Sequence, residues 1–195
     1  MSSLTMQTSP SSSSHEWGTV FLSFHGGDTR QNFTAHLYNA LEQRGLSTYR
    51  DDKELERGRY ISPELLKAIE NSMYAVVVLS PSYAFSRWCL FELAKIVECI
   101  EKTGLILLPV FYHVDPSHVR NQKGTFAGAF VKHENSPKIV GDDLRTWKSA
   151  LRKVGNISGW DIRDRDESTV IEEIVGEILA KLNSTFSAVS KSLLE

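Results

Sequence analysis

The sequence predicts one α/β domain with a parallel sheet covered by helices on both faces, and three observations carry that prediction. Short β-rich apolar runs alternate with stretches of helical periodicity along most of the chain. The runs at 75–79 and 105–111 are apolar without interruption, as in strands buried on both faces. A chain of 195 residues with 41% hydrophobic content is long enough for one well-buried core and too short for two comfortable ones.

Residues 1–16 are rich in Ser with Thr and Pro, lack a hydrophobic cluster and are expected to form a disordered leader. The leader holds no arginine, which argues against a transit peptide. Thr19 to Phe24 reads as the first strand, and Phe33, Leu37, Ala40 and Leu41 recur at helical spacing until Gly45. Leu46 to Arg50 is the second strand, and a charged loop follows from Asp51 to Tyr60. The next helix starts at Ser62-Pro63, a capping Ser before Pro at the first helical position, with Ile61, Leu65 and Ile69 facing inward. Between the two continuous apolar runs lies a helix carrying Trp88 and Glu92. Asp115-Pro116 turns the chain, a short helix spans Phe126 to His133, and Leu144, Trp147, Leu151 and Val154 mark another. Ser158 to Ile162 reads as a short last strand. Val170, Ile171, Ile174, Val175, Ile178, Leu179 and Leu182 then trace the strongest helical stripe, after which 184–195 reads as a polar tail or the start of a linker. The domain is thus expected to span 17–183, its alternating elements giving a parallel sheet wrapped on both sides.

A net charge of −2 leaves no electrostatic footprint for nucleic acid or an anionic membrane, and no apolar stretch approaches the length of a transmembrane helix. A soluble protein without nucleic-acid or membrane partners is expected. Cys89 and Cys99, ten apart in one helical pattern, have the wrong number and spacing for a zinc site or a disulfide framework, so reduced thiols in a cytosol-like compartment are expected. The six histidines are scattered, His113 and His118 reading as surface groups, and no metal is implied. Sequons at Asn32, Asn156 and Asn183 read as chance, since no signal peptide precedes them.

The two standard phosphate cradles of α/β proteins, Gly-x-x-x-x-Gly-Lys-Ser/Thr and Gly-x-Gly-x-x-Gly, are missing. His25-Gly26-Gly27-Asp28-Thr29-Arg30 nevertheless leads from the first strand into its helix, where backbone amides can hold a phosphate. On spacing alone, two glycines making a turn with Asp28 or Thr29 as helix cap is the somewhat better explanation. Helical positions advance by about 100° per residue, so Leu90, Leu93, Ala94 and Val97 share one stripe and Trp88 and Glu92 stack on the opposite face. An exposed Trp beside a lone acid suggests a site; a solvated Glu92 and a Trp88 tucked beneath a neighbouring loop is the plain alternative. Ser86 and Cys89 lack the surroundings of a nucleophile. The 25–30 loop, the 51–60 loop and the start of the Trp88 helix all fall at the carboxyl edge of the strands, where ligands of parallel sheets gather.

Several segments together resemble a plant Toll/interleukin receptor (TIR) domain, of the type at the N-terminus of nucleotide-binding leucine-rich-repeat immune receptors. They are Val20-Phe21-Leu22-Ser23-Phe24, Gly26 with Asp28-Thr29-Arg30, Phe33-Thr34, Leu55-Glu56-Arg57-Gly58, Ile61-Ser62-Pro63-Glu64-Leu65, Ser86-Arg87-Trp88-Cys89-Leu90 with Glu92-Leu93, Pro109 through Pro116, and Ser158-Gly159-Trp160. The resemblance implies a flavodoxin-like fold with a five-stranded parallel sheet. It also implies cleavage of the nicotinamide–ribose bond of NAD, a substrate and not a resident cofactor, when domains self-associate as dimers or higher oligomers in defence and cell-death signalling. The implied location is cytoplasmic, with the nucleus as a second compartment. By position Glu92 matches the catalytic glutamate, residues His25, Gly26, Gly27, Asp28, Thr29 and Arg30 the loop lining the nucleotide site, Gly58 the mobile loop after the second strand, and Trp88 the neighbouring aromatic. His25-Gly26-Gly27 stands where Arg-Gly-Glu is usual, which bears on nucleotide affinity. Ala35-His36 replaces a Ser-His pair on the first helix, the one used for self-association. Two functions stay open: an NAD-cleaving enzyme, favoured by Glu92 and Trp88, and a non-catalytic adaptor acting through TIR–TIR contacts, favoured by the altered loop.

Overall fold

In the computed structural model, which describes residues 20–51 and 61–193, the apolar runs become β1 (Val20–Phe24), β2 (Thr48–Arg50), β3 (Tyr74–Leu79), β4 (Ile106–Phe111) and β5 (Trp160–Asp161). They form one sheet in the order β2-β1-β3-β4-β5, with every pairing parallel. The order reverses direction between β1 and β3, the place where parallel sheets open a crevice at their carboxyl edge. Helices α1 (Gly26–Thr29), α2 (Phe33–Gln43), α3 (Pro63–Glu70), α4 (Arg87–Lys102), α5 (Pro116–Asn121), α6 (Thr125–Glu134), α7 (Gly141–Val154) and α8 (Glu167–Ser192) connect and cover the strands. A single 3-10 turn, Tyr83–Phe85, precedes α4.

The period of two along a strand divides the core in two. Phe21, Ala75, Val77, Leu79 and Phe111 point to the face covered by α3, α4, α6 and α7. Leu22, Val76, Val78, Leu108 and Val110 point to the other, covered by α2 and α8. The helix starts are set by local chemistry. Ser62 Oγ accepts from the Leu65 N–H at 3.2 Å and Ser86 Oγ from the Cys89 N–H at 3.2 Å, each satisfying an otherwise unpaired donor of a first turn. Gly45 and Gly104, both at φ +75°, follow the ends of α2 and α4 in the left-handed conformation that glycine adopts without steric cost.

Some expectations change. The second strand begins at Thr48, leaving Leu46 and Ser47 outside it. Asp115-Pro116 opens α5, with Asp115 Oδ1 accepting from the Ser117 N–H at 2.8 Å. The last strand is only two residues long, and beside it Gly159 lies so close to β4 that an added Cβ would sit 2.1 Å from the Pro109 carbonyl oxygen. Helix α8 runs on to Ser192, past Leu182, its last buried residue. The 183–192 stretch is polar but contains no Gly or Pro, so nothing in it interrupts propagation. The leader and most of the charged loop, Gly58 included, lie outside the described residues.

Candidate active site at the carboxyl edge

Beyond the end of β1 lies a cavity of about 310 Å³. Leu22, Phe24, His25, Gly26 and Arg30 wall one side, Asp51 enters from the end of β2, and Ser86, Trp88, Cys89 and Glu92 come from the start of α4. The three segments expected to meet at this edge do meet there, in so far as they are described.

Glu92 is not on a solvent face: it is only 3% exposed. The buried positions of α4 are Cys89, Leu90, Glu92, Leu93, Ile96 and Cys99, so the inward face includes Glu92, one turn from both Cys89 and Ile96. Ala94 and Val97, assigned to the core stripe from sequence, are only partly buried. Centring the stripe on them turned the expected inner face away from the acid. Trp88 is half-buried at the cavity wall rather than standing free.

A chain of hydroxyls backs the acid. Ser23 Oγ lies 2.7 Å from Glu92 Oε2 and 2.8 Å from the Tyr83 hydroxyl, which is 3.1 Å from the Cys89 carbonyl oxygen. Burial pushes the Glu92 carboxyl up to about 8; the Ser23 contact opposes this, the negative charge of Asp51 adds to it, and the nearby Trp88 indole N–H opposes it again. That N–H, itself buried, falls short of a full hydrogen bond. Burial, followed by the neighbouring Glu92, holds the Cys89 thiol well above its ordinary value, so it stays protonated and is no nucleophile.

The 25–30 loop divides into two parts. His25, Gly26 and Arg30 face the cavity, the Arg30 guanidinium lying 5.5 Å over the Phe24 ring. Gly27, Asp28 and Thr29 do not line it. Asp28 Oδ2 accepts from the Ser82 N–H at 2.8 Å, tying the loop to the chain after β3. Burial works against the Asp28 charge, but the Ser80 hydroxyl and Ser82 N–H outweigh it and hold the carboxyl below its usual value. The Thr29 and Thr34 hydroxyls pair at 2.7 Å, and Asn32 caps α2 by accepting from the Phe33 N–H at 2.7 Å. Neither Asp28 nor Thr29 is therefore the cap that spacing offered. His25 Nδ1 is 3.6 Å from Asp28 Oδ1, outside hydrogen-bond reach. His36 is exposed on α2.

Sequence reasoning missed Ser23 and Tyr83. A single hydroxyl inside the apolar run of β1 was the available signal for Ser23, because a polar side chain inside a buried strand needs a partner. It missed His133 as well. This ring is 3% exposed, and its Nε2–H donates to the Ala84 carbonyl at 2.7 Å while the ring packs at a steep angle to Trp147 with centroids 5.5 Å apart. Burial lowers its affinity for a proton. Among the described residues, no group of three or more acidic, His or Cys side chains is placed to hold a metal, and no helix is long and apolar enough to cross a membrane.

The five-stranded parallel sheet is one that many proteins share, but the sequence decides the family: the chain belongs to the TIR domain family, whose sequence pattern matches residues 19–194. It is 54% identical over 164 residues to disease resistance protein RPV1 of Vitis rotundifolia, covering 84% of this chain and 11% of that protein. It is 50% identical over 174 residues to TMV resistance protein N of Nicotiana glutinosa, covering 88% of this chain and 15% of that one. The chain thus spans a small fraction of these relatives' length. The TIR domains of the activated Roq1 resistosome, which directly recognises the pathogen effector XopQ, share the fold with a TM-score of 0.74 and 53% identity, over 82% of this chain and 98% of that one.

Proposed function

We propose that this chain is the TIR signalling domain of a plant disease resistance protein and that, when copies associate, it cleaves the nicotinamide–ribose bond of NAD. The observation that carries the reading is Glu92, a buried carboxyl at the wall of a cavity it shares with Asp51, Trp88, His25 and Arg30. The cavity is at the small end of the range for ligand sites, roughly 300–1,000 Å³, a size suited to one half of a dinucleotide.

One acid is enough for this chemistry. When the bond between ribose C1′ and the pyridinium nitrogen breaks, its electron pair passes to nicotinamide, which leaves neutral and needs no proton, unlike the leaving group of an ordinary glycoside. A carboxylate beside the ribose stabilises the positive charge that develops on C1′ and its ring oxygen. Water then adds to C1′ and gives up a proton to the surrounding solvent. Trp88 offers an aromatic wall for the pyridine ring, and Arg30 a guanidinium for phosphate.

The relatives' names and the resistosome of the similar structure support a role in immune signalling through TIR–TIR association; the exposed face of α2 around His36 is our proposal for one contact surface. The departure at His25-Gly26-Gly27 favours the second reading, an adaptor that associates without cleaving NAD. Incubating concentrated protein with NAD and following nicotinamide release separates the two. Glu92→Ala should lower the rate at least about a hundredfold. No release by a protein that still associates leaves the adaptor; unchanged turnover in folded Glu92→Ala removes Glu92 from the mechanism.

A further inference from the structure

The oxygens behind Glu92 can be counted against the hydrogens available to them. Three contacts run in series: Glu92 to Ser23 at 2.7 Å, Ser23 to Tyr83 at 2.8 Å and Tyr83 to the Cys89 carbonyl at 3.1 Å. Each needs one hydrogen. Ser23 and Tyr83 bring one apiece, and the carbonyl brings none. All three bonds exist together only when Glu92 supplies the third: the acid donates to Ser23, Ser23 to Tyr83, and Tyr83 to the carbonyl. When Glu92 is ionised the direction reverses. Ser23 then donates to the carboxylate, and because its oxygen lies 2.8 Å from that of Tyr83, a contact only the Tyr83 hydrogen can now fill, Tyr83 donates to Ser23 and the Cys89 carbonyl loses its Tyr83 partner. Three bonds in one state become two in the other, although the two end on a charge and are individually stronger.

We propose that Ser23 and Tyr83 are positioning residues that form a reversible hydroxyl relay, holding Glu92 as the neutral acid in the free protein and turning over to hold it as the carboxylate when a cationic ligand enters the cavity. Both are fully buried, so water cannot replace either member of the chain. The turnover requires only rotation about two C–O bonds, with no movement of the backbone, and the proton that Glu92 gives up leaves to solvent through the cavity, since the Cys89 carbonyl at the other end of the chain cannot take it. A pyridinium-bearing substrate supplies the positive charge that favours ionisation, so the carboxylate that the reaction uses would form in step with binding. The catalytic consequence rests on the role proposed above for Glu92; the relay does not.

Other titratable or charged groups surround Glu92: Asp51 after β2, Tyr49 on β2 and Cys89 on α4 are coupled to it, and His25 and Arg30 line the same cavity. A test must leave all of these in place, and two single-atom deletions do. Tyr83→Phe removes two bonds from the neutral state but one from the ionised state, so the Glu92 midpoint should fall by about half to one pH unit. Ser23→Ala takes the hydroxyl donor away from the carboxylate, so the midpoint should rise.

The measurement is carbon-13 NMR of the 195-residue chain labelled at the glutamate side-chain carboxyl, titrated from about pH 5 to 10. The Glu92 resonance is identified by its loss in Glu92→Gln. Shifts of opposite sign in the two variants support the relay, whereas no shift in Tyr83→Phe, or shifts of the same sign in both, would overturn it. Because this reading needs no NAD, it stands or falls separately from cleavage. Where cleavage is present, the acid limb of its pH profile should move with the NMR midpoint in each variant. A uniform loss of rate with an unmoved limb would show a merely structural role.

Discussion

Replacing Glu92 by Gln keeps the shape of the side chain and gives Ser23 an amide donor where the neutral acid had its hydroxyl, but removes the titration. The wild-type carboxyl is held at about 8 in the folded chain against an ordinary value of 4.5. The folded state therefore binds the proton more tightly than the unfolded one. The stability this contributes is fully present below pH 4.5 and is lost as pH rises to about 8. At 1.36 kcal/mol per pH unit, the interval amounts to roughly 5 kcal/mol by about pH 9, and roughly 3 kcal/mol is already lost at pH 7. That is a large part of the 5 to 15 kcal/mol, roughly, that holds a domain folded. Glu92→Gln should thus gain on the wild type steadily as pH rises, and the gain should level off above about pH 9. Denaturant unfolding of both proteins across this range measures it, and the difference between them cancels the acids they share. A difference that does not change with pH would refute the reasoning, since it would mean that the folded site tolerates the carboxylate as well as water does.

Three further outcomes follow from the same geometry. His25 faces the cavity, so His25→Arg should lower the KM for NAD with little change in kcat, because a guanidinium grips phosphate bidentately and stays charged; an unchanged KM would remove position 25 from phosphate contact. If cleavage depends on association, the specific rate should rise with protein concentration by mass action, and His36→Ala should reduce both the rate and the sedimentation coefficient; a rate flat with concentration would mark a self-sufficient monomer. Gly159→Ala would place a rigid Cβ 2.1 Å from the Pro109 carbonyl oxygen, a backbone atom, and should cost about 3 kcal/mol, or roughly 6 to 12 °C in Tm; an unshifted Tm would mean that β5 can move aside freely.

Alternation of apolar runs with helical stripes was enough to read the parallel sheet, because strands buried on both faces, such as Tyr74–Leu79, leave a continuous signal in the sequence. The start of α3 was legible where Ser62 stands before Pro63, whereas Asp115, which caps α5 in the same way, read only as a turn. The site was legible as an edge but not as an interior. His25, Arg30, Trp88 and Glu92 come together as their positions in the pattern suggested, yet Glu92 was placed on the wrong face. The helix has polar and apolar residues on its inner side, and a hydrophobic stripe alone cannot fix the rotation of such a helix. Asp28 and Thr29 looked like caps because their types suit that role. Their actual partners, Ser82 and Thr34, are set by tertiary approach in one case and by the bend between two helices in the other. The contact between Ser23 and Tyr83 spans sixty positions of sequence, and nothing local announces it.

The buried bond between His133 and Ala84 acquires a meaning from where Ala84 stands. It is the residue next to Tyr83, in the same 3-10 turn, so a side chain of α6 grips the segment that presents the relay's inner hydroxyl. His133 in turn rests against Trp147 of α7. The outer layer of helices thus serves as a foundation on which the carboxylate is levelled, one hydrogen bond and one peptide link away from the tyrosine behind it. Damage to that foundation should be felt as a mistuned acid as well as a loosened core: in Trp147→Leu the Glu92 titration and the unfolding temperature should both move, although the altered residue lies outside the cavity walls.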